Sequence, residues 1–496
     1  MERSAGIILP ITALSSPHGI GTLGQAALDF VDFLCEADQS WWQVLPVGPT
    51  VAGNSPYQSP SAFAGNPALV DLDALVEDGL LLEEEVGGVA WGDDPTHVDY
   101  DAVGRERMAL LRLACERGWE RDKDIVQAFA AENADWLGDY ALFMAMKSHF
   151  GGAAWWEWPD EGARLHLAEA TGRYGRMLED DVRLHTFVQY LFFRQWADMR
   201  AYANAHGVRI FGDMAIYVAL DSADVWAHPG YYQLDEDNVP TAVAGVPPDY
   251  FSSEGQLWNN PLYDWDAMAE DGFSWWQRRV RHAGTLFDMV RIDHFRGIAR
   301  YWAVPAGAPT AKGGHWQDGP GMALIDAIRE GAPGVRLVAE DLGTPTPEVE
   351  ELLQASGLPG MKVLQFAFDG REDNEHLPHD MPVGRVCYTG THDNATLAAW
   401  LAEADPRELD LARRYMGLNE EEGLVWGVVR QGMSSVAMLF VAQMQDYLEL
   451  GAEARTNTPG TVGDNWSWRL VPGQLTHELA ARIANVTRLY GRRRRG

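Results

Sequence analysis

Acidic residues close several apolar runs that lie far apart in the chain: Asp213 in "RIFGD", Asp293 in "MVRID", Glu340 and Asp341 in "LVAED", and Asp393, preceded by His392, in "YTGTHD". Carboxylates gathered at one place permit two chemistries. They can hold a divalent cation, given further oxygen ligands or a histidine pair such as His294 and His392. Alternatively, two of them can flank a sugar carbon, one ionised as nucleophile and one protonated as acid. A lone acid beside an arginine is more simply a structural ion pair. In "FDMVRIDHFRG" the period of a strand puts Phe287, Met289, Arg291 and Asp293 on one face and Val290 and Ile292 on the other. Arg291 is thus a ready partner for Asp293, and a charge in a core strand needs one or an opening to a cleft.

Whether these acids meet depends on the elements that carry them. Eight short apolar runs read as strands: "GIILP", "WWQVLPV", "VRIFGDMAIYV", "FDMVRIDHF", "VRLVAEDL", "MKVLQFAFD", "RVCYTGTHD" and "AMLFVAQMQD". Between most of them lie stretches whose apolar residues recur at three and four, such as "LGQAALDFVDFLCEADQ", "TFVQYLFFRQWADMRAYANAHG" and "MALIDAIREGAPG". Strand and helix in alternation predict an α/β fold, a TIM (β/α)8 barrel. In that architecture residues at the carboxyl ends of different strands converge on one rim, so the acids are expected to meet. The whole chain, 1–496, is expected to be one catalytic unit. Two insertions interrupt it: a mainly helical one at 68–181, between the second and third strands, and a Gly-, Pro- and aromatic-rich one at 219–271, between the third and fourth.

Composition narrows the partners. A formal charge of -33 argues against nucleic acid or an anionic membrane, both of which demand a positive face, and does not repel a neutral ligand. Three widely spaced cysteines fit buried thiols in a reducing compartment, and the opening "MERSAGIILPITALSS" lacks the pattern of a secretion signal, so a cytoplasmic protein is expected. No run approaches the roughly 20 apolar residues of a membrane span. The basic end "GRRRRG" reads as a frayed terminus. Tryptophan, at 20 copies, is unusually frequent. Several aromatics fall in polar loops: Phe251, Trp258, Tyr263 and Trp265 in "FSSEGQLWNNPLYDW", and Trp466 and Trp468 in "GDNWSWR". Such rings suit stacking on the apolar faces of sugars or, equally, anchoring of the loops. With no phosphate-cradling Gly loop in the chain, they favour glycosyl transfer over a metal site.

Together "NSPYQSPSAFAGNP", "GDMAIYVALDSADVW", "GVPPDYFSSEGQLWNNPLY", "VRIDHFRG", "AEDLG", "YTGTHDN" and "EARTNTPGTVGDNWSWR" resemble the amylomaltases, the bacterial and plant 4-α-glucanotransferases. The resemblance runs in order from near the N-terminus to about Leu470. It implies Asp293 as nucleophile, Glu340 as general acid/base and Asp393 as transition-state stabiliser. It also implies sugar contacts from Tyr57, Asp213, Gln256, Arg291, His294, His392 and Asn465, and a loop over the cleft carrying Asp249, Tyr250, Phe251 and Trp258. Donors and acceptors would be α-1,4-glucans, with no cofactor or metal, and the protein a monomer or homodimer. Arg291 is expected to hold the pKa of Asp293 down. Asn259 stands where the family commonly has Gly, a position whose backbone angles Asn tolerates less freely.

Overall fold

The computed structural model describes residues 3–51, 53–248, 253–343, 346–461 and 463–494. Twelve strands are found among them: β1 (Ser4–Ile8), β2 (Trp41–Gln43), β3 (Arg209–Met214), β4 (Ala242–Val246), β5 (Gln256–Pro261), β6 (Met289–Ile292), β7 (Arg300–Pro305), β8 (His315–Asp318), β9 (Leu337–Ala339), β10 (Met361–Val363), β11 (Val386–Tyr388) and β12 (Leu439–Gln443). Eight form one parallel sheet in the order β10-β11-β12-β1-β2-β3-β6-β9, nearly closed into a barrel. Each of the eight runs read as strands from the sequence supplies one of these eight.

Period two sorts the barrel's residues. Ile8, Trp41, Phe211, Met289, Val338, Met361, Val363, Val386, Tyr388, Leu439 and Val441 fill the interior. Ile7, Trp42, Ile210, Val290, Ile292 and Ala339 pack outward into the much larger core shared with the helices. Phe287 departs from the expected face. It precedes β6, and its ring turns outward, edge-on to Trp196 at 5.6 Å, over the space left by Gly212, where a Cβ would lie 2.2 Å from it.

The helices stop and start where local chemistry dictates. The helix Pro347–Ser356 opens with Pro and has Glu348 and Glu350 in its first turn, facing the positive end of the helix dipole. Gly357, at φ 58, ends it. Between β2 and β3 the chain is mainly helical and finishes in the long helix Glu179–Ala205. The run from Ile125 to Phe150 is two helices, Lys123–Glu132 and Leu137–His149, parted where the Asn133 side chain donates back to Phe129 O.

The sequence reading missed a second sheet. β5, β4, β7 and β8 pair antiparallel in that order. β4 and β5 come from the connection between β3 and β6, and β7 and β8 from the connection between β6 and β9. Small residues in "AVAGV" and a four-residue "HWQD" give no clear alternation to read.

The basic terminus is also not what was expected. Arg492 is 0 % exposed and donates to Met433 O (2.8 Å), Ser4 O (2.9 Å), Ser435 O (2.8 Å), Ser435 Oγ (3.2 Å) and Ala437 O (2.9 Å). Carbonyls beside the first residues of β1 and β12 need donors when buried, and Arg492 supplies them together with Arg3, which donates to Met433 O at 3.2 Å and Ser435 O at 2.7 Å. Among the described residues no helix is long and apolar enough to cross a membrane.

Candidate active site

The register of β3 on β6 sets Asp213 beside Arg291. Arg291 is 3 % exposed and donates twice to Asp213 Oδ2, at 2.6 and 3.0 Å. The same guanidinium lies 2.9 Å from Asp293 Oδ1 and donates to the Tyr57 hydroxyl at 3.1 Å. Tyr57 in turn donates to Asp213 Oδ2 at 2.7 Å, which commits its one proton. His392 Nε2, 2.9 Å from the Tyr57 oxygen, must therefore be the protonated ring nitrogen, and burial keeps His392 neutral. The Tyr57 and His392 rings stack at 5.3 Å and 14°. Arg291 thus occupies the place between Asp213 and Asp293 that a metal cation would take.

Glu340 follows the last residue of β9 and is tied to the end of β6, to the turn after it and to its own segment. Its N–H donates to Ile292 O at 3.0 Å, and its carbonyl accepts from Phe295 N–H at 3.1 Å. Its carboxylate accepts from His294 N–H at 2.8 Å through Oε2 and from Leu342 N–H at 2.8 Å through Oε1. His294 reaches Oε2 from a left-handed backbone, φ 51, a conformation that costs energy outside glycine and clusters at functional sites. Asp293, one residue earlier, is anchored by its N–H to Met214 O at 3.0 Å.

Burial pushes Glu340 up to about 7, against the pull of Arg291 and the two N–H groups, with Asp341 adding to the rise. Asp293 is also raised. Burial is the leading cause, and Asp213, Glu340 and Asp393 add to it, while Arg291 opposes. The expectation that Arg291 holds Asp293 down is therefore corrected. The arginine acts in that direction, but it is shared with Asp213 and is outweighed.

Asp393 comes from the turn after β11. Its Oδ1 accepts from Asn457 Nδ2 at 2.6 Å and lies 3.4 Å from His392 Nε2, and its main-chain oxygen accepts from Arg455 at 2.6 Å. Its side chain remains 43 % exposed, so it faces an opening. Trp258, on β5, meets the His294 ring edge to face at 4.8 Å, and its Nε1 donates to Gln256 Oε1 at 3.2 Å. Asn259 has φ 62, the left-handed angle that the family's Gly would take without strain.

Other residues of these loops are held locally. Asn465 is bound to its own loop, accepting from Thr458 N–H at 3.0 Å and donating to Thr461 O at 3.1 Å. Tyr263 is buried, its hydroxyl donating to Ile216 O at 2.8 Å, and Trp468 is largely buried beside the cavity that Trp466 also lines. Asp249, Tyr250 and Phe251 lie outside the described residues. Conversely, Arg455 and Asn457 were missed as partners of Asp393, although they sit in the quoted "EARTNTPG". Trp466, noted only as a loop aromatic, lies 5.9 Å from Tyr57 and 5.8 Å from His392 by ring centres.

A nearly closed parallel barrel, with a set of carboxylates and aromatic rings at the carboxyl ends of its strands, defines a sugar-acting enzyme of the glycoside hydrolase type. The chain belongs to glycoside hydrolase family 77, whose model, described as 4-alpha-glucanotransferase, matches residues 9–475. The 4-alpha-glucanotransferase of Thermus thermophilus is 48% identical over 494 residues, covering 97% of this chain and 98% of the relative. That of Streptococcus pneumoniae is 45% identical over 493 residues, covering 99% and 98%. The amylomaltase of Streptococcus agalactiae, solved in complex with acarbose, superposes with a TM-score of 0.97 at 38% identity, covering 99% of this chain and all of that one. The activity is that of a 4-alpha-glucanotransferase, which moves a segment of a 1,4-α-glucan onto another glucan or glucose.

Proposed function

We propose that Asp293, Glu340 and Asp393 carry this transfer as nucleophile, general acid/base and transition-state stabiliser of a retaining double displacement. Asp293 attacks the anomeric carbon of an α-1,4-glucan while Glu340 gives its proton to the leaving 4-oxygen. The glucosyl ester on Asp293 is then attacked by the 4-hydroxyl of an acceptor glucan, which loses its proton to Glu340, and the carboxylate of Asp293 leaves. The observation that carries this reading is the stitching of Glu340 to the turn that bears Asp293, with the Arg291 guanidinium 2.9 Å from Asp293 Oδ1. The proton for the leaving oxygen is assigned to Glu340, because the guanidinium 2.9 Å from Asp293 Oδ1 favours the ionised form of the nucleophile. The exposed carboxylate of Asp393 suits an oxocarbenium-like centre.

The aromatic faces of Trp258, Tyr57 and Trp466 and the polar edges of His294, His392, Gln256 and Asp213 are proposed as glucan contacts. The segment 249–258 is proposed to keep water from the glucosyl-enzyme, so that a sugar acceptor wins over hydrolysis. Three free cysteines, Cys35, Cys115 and Cys387, fit a reducing cytoplasmic setting; cell fractionation checks that assignment.

Incubation with maltotriose tests the reaction. Glucose together with a ladder of longer maltooligosaccharides is expected. Shortening alone, with reducing ends rising, would make the protein a hydrolase. Asp293→Asn and Glu340→Gln should each lose several orders of magnitude in kcat, as loss of a nucleophile or its acid does, and near-normal turnover in either would move its role elsewhere.

A further inference from the structure

β9, which leads into Glu340, and β10 stand at the two ends of the barrel's strand order. Among the described residues the hydrogen bonds that bridge them are Ala339 N–H to Pro359 O at 2.8 Å and Met361 N–H to Asp341 Oδ1 at 2.6 Å. Asp341 therefore supplies, from its side chain, the acceptor that a continuing β9 would have supplied from its backbone. The fit is tight, since a Cβ at Gly360 would lie 2.3 Å from Asp341 Oδ2. Glu340 is the residue between the last paired position of β9 and this clasp.

We propose that Asp341 is a positioning residue for the transfer reaction: its carboxylate closes the barrel seam behind Glu340, fixes the backbone from which Glu340 projects, and keeps a negative charge next to it. The proposal rests on the reading of Glu340 as the acid/base. The charges on both groups are consistent with it. Glu340 is near Arg291 from β6, Arg296 from the helix after it, Asp293 from the turn after β6 and the adjacent Asp341. Burial raises the pKa of Asp341 and Glu375 adds to the rise, while Lys362, the Met361 N–H and Arg385 favour its ionised form. A negative Asp341 makes the proton on Glu340 harder to lose. One carboxylate thus serves as both a clasp and an electrostatic bias.

The test compares Asp341→Asn with Asp341→Ala, reading kcat and KM on maltotriose across pH, together with thermal melting. Asn keeps an oxygen for Met361 N–H but removes the charge. Its alkaline limb in kcat is expected to move to lower pH by about half a unit or more, as a nearby like charge is lost, with little change in melting temperature. Ala removes both, so its melting temperature falls and kcat drops further than for Asn, with KM less affected. A profile for Asn that superimposes on the wild type overturns the electrostatic part. Equal kcat and melting for Asn and Ala overturn the clasp, and should Ala fail to fold while Asn folds, the clasp is upheld. Glu340→Gln run alongside separates the two levels: if it stays active, the role of Glu340 is wrong, whereas if it is dead and Asn matches wild type, only the inference about Asp341 falls.

Discussion

The main-chain N–H of His294 donates to Glu340 Oε2 across 2.8 Å, from a residue held at φ 51. The left-handed angle turns this N–H out of the strand direction and toward the neighbouring carboxylate. Backbone and ring of His294 therefore do separate things, and substitution can part them. His294→Gly adopts the angle freely and should keep the alkaline limb of the wild type while raising KM, because only the ring beside Trp258 is lost. His294→Val resists the angle and should lose roughly 1–3 kcal/mol of stability, with a disturbed pH profile. Should the Gly variant shift the limb as much as Val, the ring rather than the N–H orients Glu340.

The raised pKa of Glu340 makes two measurable statements. Its carboxyl moves from 4.5 up to about 7, so its proton is held more tightly in the folded chain than in the unfolded one. The stability it contributes is complete below 4.5 and is lost as pH climbs through 7. Glu340→Gln has no such proton, so its stability relative to wild type should rise across that window and level off above it. Denaturant melts of both proteins check this, and parallel curves would mean that Glu340 titrates as in water. In turnover, kcat/KM should fall on the alkaline side with an apparent midpoint near 7 that belongs to the Asp293 and Glu340 pair.

Asn457 holds Asp393 by a 2.6 Å bond to Oδ1. Asn457→Ala frees a half-exposed carboxylate to rotate. A hydrogen bond to a charged group contributes about 1.5–3 kcal/mol, which corresponds to a loss of about 10- to 100-fold in kcat/KM. Steady-state kinetics on maltotriose measures it; an unchanged value would mean that Asp393 is positioned by the cleft alone.

Arg492 donates to a cluster of carbonyls at the amino-terminal end of the barrel. Arg3 also donates to Met433 O and Ser435 O, so removing Arg492 withdraws one of two arginine donors there and the guanidinium contact of Ala437 O, at about 1–3 kcal/mol for each buried acceptor left unmatched. Arg492→Ala should lower the melting temperature clearly while leaving KM unchanged, because the site lies at the opposite end of the strands. A melting curve identical to wild type would mean that water replaces the guanidinium.

How much of this is legible without coordinates follows from how each residue signals itself. Strands buried on both faces read as apolar runs, and a barrel puts their last residues on one rim, so Asp213, Asp293, Glu340 and Asp393 could be listed together from the sequence. Arg291 shares the inner face with Asp293 by strand period alone. The rest leave no periodic trace. Asn457, Arg455 and Arg492 are single polar residues in loops or at a terminus, whose partners lie far away in sequence: the Asp393 carboxylate for Asn457 and main-chain oxygens for the two arginines. The net direction of the Asp293 shift depended on how many other carboxyls and how much burial surround one arginine, which spacing does not reveal. The left-handed angle at Asn259 was legible only through the family's glycine, and that at His294 not at all.

The four-stranded sheet has a consequence of its own. Its strands are drawn in pairs from two successive barrel connections, with β4 of the first pair hydrogen-bonded to β7 of the second. The wall that carries Gln256 and Trp258 is therefore spliced from both connections, and neither can swing aside without dragging the other. Loop length in this family member is accordingly a joint property: a residue inserted in one connection shifts the register of a strand anchored by its neighbour, so tolerated insertions should come in matched pairs or fall outside the splice.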